Sequence, residues 1–154
     1  MKHLFLVRHA KSSWADESLS DRERPLNERG VSQLAPLGNA LKSVGAFEGE
    51  IYSSNARRAV ATLQGILPDT VAAERCHTLS ALYTFDYRRL LAWLEEQADA
   101  PQITLVGHNP ALLELAQSLL KQPPEQLPTA SVIHIRLSIK HWRQIGRGKG
   151  KLVT

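Results

Sequence analysis

Apolar and polar positions alternate in blocks along the chain, and the blocks change period. Leu4-Phe5-Leu6-Val7 is a continuous apolar run, the pattern of a strand buried on both faces. A polar, acid-rich stretch to about Arg24 reads as a loop. Asn27 then caps a helix predicted to run towards Val44, with Gly45 as its stop and a kink or break where Pro36 and Gly38 fall. Glu50–Ser53 reads as a second strand. A helix capped by Ser54 or Asn55 follows, carrying Ala59, Leu63 and Ile66 and ending near Pro68.

Thr70–Ala73 is a candidate third strand. Asp86 caps a helix whose Leu90, Leu91 and Leu94 form one apolar stripe. Ile103–Val106 repeats the buried-strand pattern. Asn109-Pro110 reads as a helix start, with Asn as cap and Pro at the first helical position. The apolar side of that helix is Leu112, Leu113, Ala116, Leu119 and Leu120, and Pro123-Pro124 stops it. Val132–Ile139 alternates as a strand, and Gly146–Gly150 reads as a turn or frayed tail. Strands alternating with helices predict a single α/β domain over residues 1–154, with a largely parallel sheet.

Composition narrows the classes. The chain has 154 residues, 43% hydrophobic and 22% charged, an ordinary globular mix. One cysteine, Cys76, excludes an internal disulfide and a cysteine-based zinc site. No apolar run reaches membrane-spanning length, and Met1-Lys2-His3 leads into a strand-like run rather than a signal peptide. The expectation is a soluble, cytoplasmic protein with no membrane partner. The net charge of +4 is unevenly placed: residues 1–125 carry 13 Lys+Arg against 15 Asp+Glu, and residues 126–154 carry six Lys+Arg and no acid. A basic tail on a near-neutral body is no basis for a nucleic-acid partner.

Candidate chemistry lies where predicted strands end: Arg8-His9, Arg58 in the first turn of its helix, and His108-Asn109. Carboxyl ends of strands form the ligand crevice of an open α/β sheet. Two arginines and two histidines there suit a phosphoryl group, because guanidinium forks bind its oxygens and helix N-termini add amide donors. A histidine beside arginines stays neutral, as a nucleophile must.

These residues sit in a recognisable order. Leu6-Val7-Arg8-His9-Ala10-Lys11-Ser12, Arg24-Pro25-Leu26-Asn27-Glu28-Arg29-Gly30, Arg58-Ala59 with Thr62, Val106-Gly107-His108-Asn109-Pro110 and Pro128-Thr129-Ala130-Ser131 together resemble the histidine phosphatase superfamily, in its short SixA-like phosphohistidine-phosphatase branch. Ala61 stands where that pattern usually has Gln. The resemblance implies a phosphoglycerate-mutase-like fold, a three-layer α/β/α sandwich with a mainly parallel sheet. It implies that His9 attacks phosphorus, that Arg8 and Arg58 grip the phosphoryl oxygens, and that His108 stabilises the transition state. Lys11, Ser12 and Asn109 are further substrate-binding candidates. Neither metal nor other cofactor is implied.

Many superfamily members with alcohol leaving groups carry an acid between the second arginine and the second histidine. Ser80-Ala81-Leu82-Tyr83 has none, and only Glu74 and Asp86 flank it. An alkoxide leaves badly without a proton donor, whereas an imidazole on phosphorus leaves readily. The expected substrate is therefore a phosphohistidine-bearing protein, such as a phosphotransfer domain or phosphotransferase carrier. Two alternatives stand: a small-molecule phosphomonoesterase using Asp86, and a non-catalytic phosphohistidine-binding module. Motifs spanning residues 8–131 leave little chain for a lid, so the cleft is expected to be open and shallow.

Overall fold

A computed structural model describes all of residues 1–154. Its centre is a six-stranded sheet in the order β3-β2-β4-β1-β5-β6. The strands are β1 (Lys2–Arg8), β2 (Glu50–Ser54), β3 (Cys76–Leu79), β4 (Gln102–Gly107), β5 (Val132–Leu137) and β6 (Gly150–Leu152). β3, β2, β4 and β1 run parallel, and β5 turns back antiparallel to β1. Successive residues of the run Leu4–Val7 pack on opposite faces. Leu4 and Leu6 join the core under α3 (Tyr87–Glu95) and α4 (Ala111–Leu119), with Leu94, Leu105 and Leu115. Phe5 and Val7 join the core under α1 (Glu28–Ser43) and α2 (Arg57–Ile66), with Leu41, Ile51 and Leu63. The result is the expected three-layer α/β/α sandwich. A run with polar residues on one side would not bury both faces.

Asn27 caps α1 as expected: its side chain accepts from the Gly30 amide at 2.8 Å, worth ~1 kcal/mol. Gly45 follows the helix at φ +76°, a left-handed turn that suits glycine. Pro36 does not break α1. It lies on the exposed side, where water serves the carbonyl it frees, while Leu37 and Leu41 keep the buried face intact.

Four local expectations are corrected. The third strand is Cys76–Leu79, not 70–73, because Arg75 donates to the Phe47 and Gly49 carbonyls and β2 pairs from Ile51↔Cys76 onward. α2 starts at Arg57 behind Ala56, and Ser54 instead accepts the Ala56 amide at 3.1 Å. α4 starts at Ala111 behind Pro110, and the Asn109–Pro110 bond is cis. The Asn109 amide bonds further away, donating to Leu127 O and accepting from Leu113 N–H. The basic tail turns at Gly146–Lys149 as expected, with the Lys149 amide donating to Gly146 O, but it does not fray beyond. Gly150–Leu152 pairs antiparallel with β5, and Thr154 O accepts from the His134 amide.

Candidate active site

Parallel pairing sets the carboxyl ends of β1, β2 and β4 side by side, so the residues following them converge. The His9 amide donates to Gly107 O at 3.2 Å, which fixes the end of β1 against the end of β4. Ala130 N–H approaches both the Arg8 and His9 carbonyls at 3.1 Å, closing the strand end from the β5 side. Thr62 ties β1 to α2: its hydroxyl donates to Arg58 O and accepts the Ala10 amide at 2.9 Å. Gly30 lets the loop after β1 lie on the start of α1, since any Cβ there would fall on the Lys11 carbonyl.

A cavity of about 300 Å³ opens at this convergence. Arg8, His9, Lys11, Ser12, Arg58, His108 and Asn109 all line it. His9 forms its floor, 7% exposed, and its Nδ1–H donates to Ala10 O at 2.7 Å. The Nε2 lone pair is thereby left for chemistry, and Arg58 Nε donates towards it at 3.3 Å. Burial pushes the His9 imidazole down to about 4; the bond to Ala10 O opposes this, and the charges of Arg58, Arg8 and Arg24 reinforce it. His9 is accordingly neutral at pH 7. His108 is 1% exposed, with Nε2 hydrogen-bonded to Ser54 Oγ at 2.8 Å and Nδ1 3.4 Å from Arg58 Nη2. Burial, then the neighbouring His9 and Arg58, pushes it down to about 3.

Arg58 runs between the two rings and is 2% exposed. Its neighbour Arg57 points to solvent and donates at 3.4 Å to Glu23 O. Arg8 Nη1 donates to Leu127 O at 3.1 Å, while its buried Nε has no partner in the protein. Lys11 is exposed at the rim, with its amide held by Gln33. Ser12 is buried, and its hydroxyl accepts from Arg24 Nη1 at 2.8 Å.

No acid between Arg58 and His108 reaches the cavity, but one from before Arg58 does. Asp21, in the loop after β1, reaches the cavity and pairs with Arg58 Nη2 at 2.9 Å and Arg24 Nη2 at 3.2 Å. Its backbone carbonyl takes Arg58 Nη1 at 2.6 Å, and its carboxylate accepts the Tyr83 hydroxyl at 2.6 Å. Burial alone would raise the Asp21 carboxyl, but Tyr83 and Arg58 outweigh it and push it down to about 2. Asp21 is thus an ionised clamp on Arg58, not a stored proton. Nothing in the stretch Asp16–Glu23 marks Asp21 apart from the three other acids there.

Asp86 and Glu74 are not in the cavity wall. Asp86 caps α3 and pairs with Arg88 at 3.1 Å. Glu74 is exposed in the turn before β3, at the opposite end of the sheet. Trp14, Arg24, Phe85 and Thr129 complete the lining. Arg24 proves central rather than peripheral, because it bridges Ser12, Ser13 O and Asp21. No helix is long and apolar enough to cross a membrane.

Known proteins resemble this chain at different levels. A structure from Agrobacterium tumefaciens, assigned as a phosphohistidine phosphatase SixA, superposes with a TM-score of 0.81 at 21% identity, covering 99% of this chain and 96% of that one. An uncharacterised chloroplastic protein of Arabidopsis thaliana is 28% identical over 93% of this chain and 70% of its own length. A 69-residue stretch, 44% of this chain, is 36% identical to 28% of a 2,3-bisphosphoglycerate-dependent phosphoglycerate mutase of Elusimicrobium minutum. Residues 4–87, which carry Arg8, His9 and Arg58, match the family model for branch 1 of the histidine phosphatases. With that match running from β1 into α3, the chain belongs to the histidine phosphatase superfamily.

Proposed function

We propose that the protein is a phosphohistidine phosphatase that works through a phospho-His9 intermediate. The observation that carries the reading is a buried, neutral His9 with an unprotonated Nε2 beside Arg58, in a cavity whose one carboxylate is ionised and clamped to that arginine. His9 Nε2 attacks phosphorus, the bond from phosphorus to the substrate imidazole nitrogen breaks, and the departing nitrogen takes a proton from solvent. Water then attacks phospho-His9, releasing inorganic phosphate and restoring the neutral imidazole.

Arg58 and Arg8 take the phosphoryl oxygens, since the chemistry is positioning plus charge stabilisation. Ser54 acts as a positioning residue: its Oγ, 2.8 Å from His108 Nε2, fixes the ring so that Nδ1 faces Arg58 and the phosphoryl site. No carboxyl group in the cavity wall stores a proton for an alkoxide, which favours P–N over P–O substrates. The SixA assignment of the Agrobacterium structure supports the same substrate class, and with it a phosphorylated protein as partner.

A substrate panel tests the reading. A phosphohistidine protein should turn over at least ~100-fold more efficiently than sugar phosphates, and quenched enzyme should carry an acid-labile, base-stable phosphoryl group. Faster turnover of sugar phosphates, or an acid-stable phosphoenzyme, would refute it.

A further inference from the structure

Phosphorus attacked by His9 Nε2 loses its leaving group on the side opposite His9, and His9 and Arg58 are buried while Trp14 and Phe85 are exposed, so the leaving group lies towards the mouth. The mouth is unusual in its chemistry. Of the 12 lining residues two are apolar, Trp14 and Phe85, and they are 71% and 45% exposed. Exposed aromatic rings in an otherwise polar cavity wall call for an explanation.

Both rings are held in place. The Trp14 ring lies on the Arg24 guanidinium, 3.5 Å from its centroid, and Arg24 is itself pinned by Ser12 and Asp21. Phe85 packs edge-on to Tyr83 at 5.7 Å and against His108 at 5.4 Å. Its backbone lies in a turn closed by the Asp86 amide donating to Thr84 Oγ1. A ring fixed before binding loses little freedom when it gains a partner.

Apart from the exposed Lys11 ammonium, the neutral polar side chains nearby are already engaged. Asn109 is bonded at both ends of its amide, Ser12 accepts from Arg24, and Thr129 accepts from Gln33. A hydroxyl-rich leaving group would give up water for few new hydrogen bonds, whereas a flat ring gains aromatic faces. We infer that Phe85 and Trp14 are specificity-determining residues that select an aromatic-ring leaving group, the imidazole of phosphohistidine. The inference rests on the proposed reaction and adds the means by which its substrate is chosen.

Kinetics on three substrates test it: a phosphohistidine peptide, phosphoramidate (whose leaving group is ammonia) and acetyl phosphate. Phe85→Ala should lower kcat/KM for the peptide about tenfold and Trp14→Ala about fivefold, with the other two substrates changed less than twofold. Phe85→Tyr should restore the peptide value. Equal losses on all three substrates would overturn the inference, because Phe85 would then only support His108; so would no loss on any. Thermal melts identify a misfolded variant, and the Tyr variant then carries the test: it must match wild type on the peptide, while Phe85→Leu must show the selective loss. Wild-type enzyme that cleaves sugar phosphates and spares the peptide would remove the proposed function itself, and this inference with it.

Discussion

Two histidine pairs in this protein have ring centroids 5.2 Å apart, and only one belongs to the site. His3 and His134 face each other across β1 and β5, with His3 Nδ1 and His134 Nε2 3.0 Å apart. One nitrogen of each ring is spent on the other, His134 Nδ1 is buried without a partner or a facing arginine, and Phe5 stacks on His134. His9 and His108 instead anchor outward, on Ala10 O and Ser54, and hold Arg58 between their remaining nitrogens. The spacing of two rings says little about reactivity. What each ring does with its second nitrogen decides it, because an imidazole anchored through one nitrogen offers the other in a fixed direction.

The comparison can be broken most severely at the nucleophile. His9→Ala should reduce turnover of every phosphoryl substrate by at least ~1000-fold, whereas His134→Phe should leave kcat/KM within twofold; steady-state assays of the two variants decide it. Equal losses would erase the distinction between the pairs. Arg58→Lys should cost ~100-fold in kcat, because an ammonium lacks the fork that spans His9, His108 and Asp21.

A smaller effect is expected at the clamp. Asp21→Asn keeps the shape but loses the charge that orients Arg58, so kcat/KM should fall about tenfold while the melting temperature moves little. The same change should not affect the environment of His3 and His134, which two-dimensional NMR of the imidazoles would report.

A separate effect, read on folding rather than turnover, is on stability against pH. His9 and His108 have folded values of about 4 and 3, below the ordinary 6.5. The unfolded chain therefore binds protons that the folded chain refuses. Their contribution is complete above pH 6.5 and is lost as pH falls through the folded values. Denaturant midpoints should rise between about pH 4 and 6.5, and the double variant His9→Gln/His108→Gln should flatten that rise. Burial, then His3, also lowers His134, so a shallower slope of the same sign should remain.

Much of the scaffold was legible in the chain because its strands announce themselves. Leu4–Val7 and Ile103–Val106 are apolar without interruption, and such segments have no stable place except the centre of a covered sheet. Errors gathered where local signals are weak. Thr70–Ala73 lost to Cys76–Leu79, and the tail became an edge strand, because pairing with a neighbour outweighs propensity in short segments. Asn109 reads as a cap by its type, and its Oδ1 does accept from Leu113 N–H in the first turn of α4, but its Nδ2 is drawn to Leu127, 18 residues away.

The same division runs through the site. Residue order alone determined that Arg8, His9, Arg58 and His108 fall at strand and helix ends, since periodicity marks where each element stops. Only tertiary structure decided that Asp21, Arg24, Tyr83 and Phe85 stand beside them. Asp21 and Arg58 are 37 residues apart, and Asp21 and Tyr83 are 62 apart. A loop residue has no period to reveal its direction, and an acid in a polar stretch looks like any solvated charge. Its role exists only once the parallel sheet has gathered the strand ends and left Arg58 buried with an unmet need for an anion.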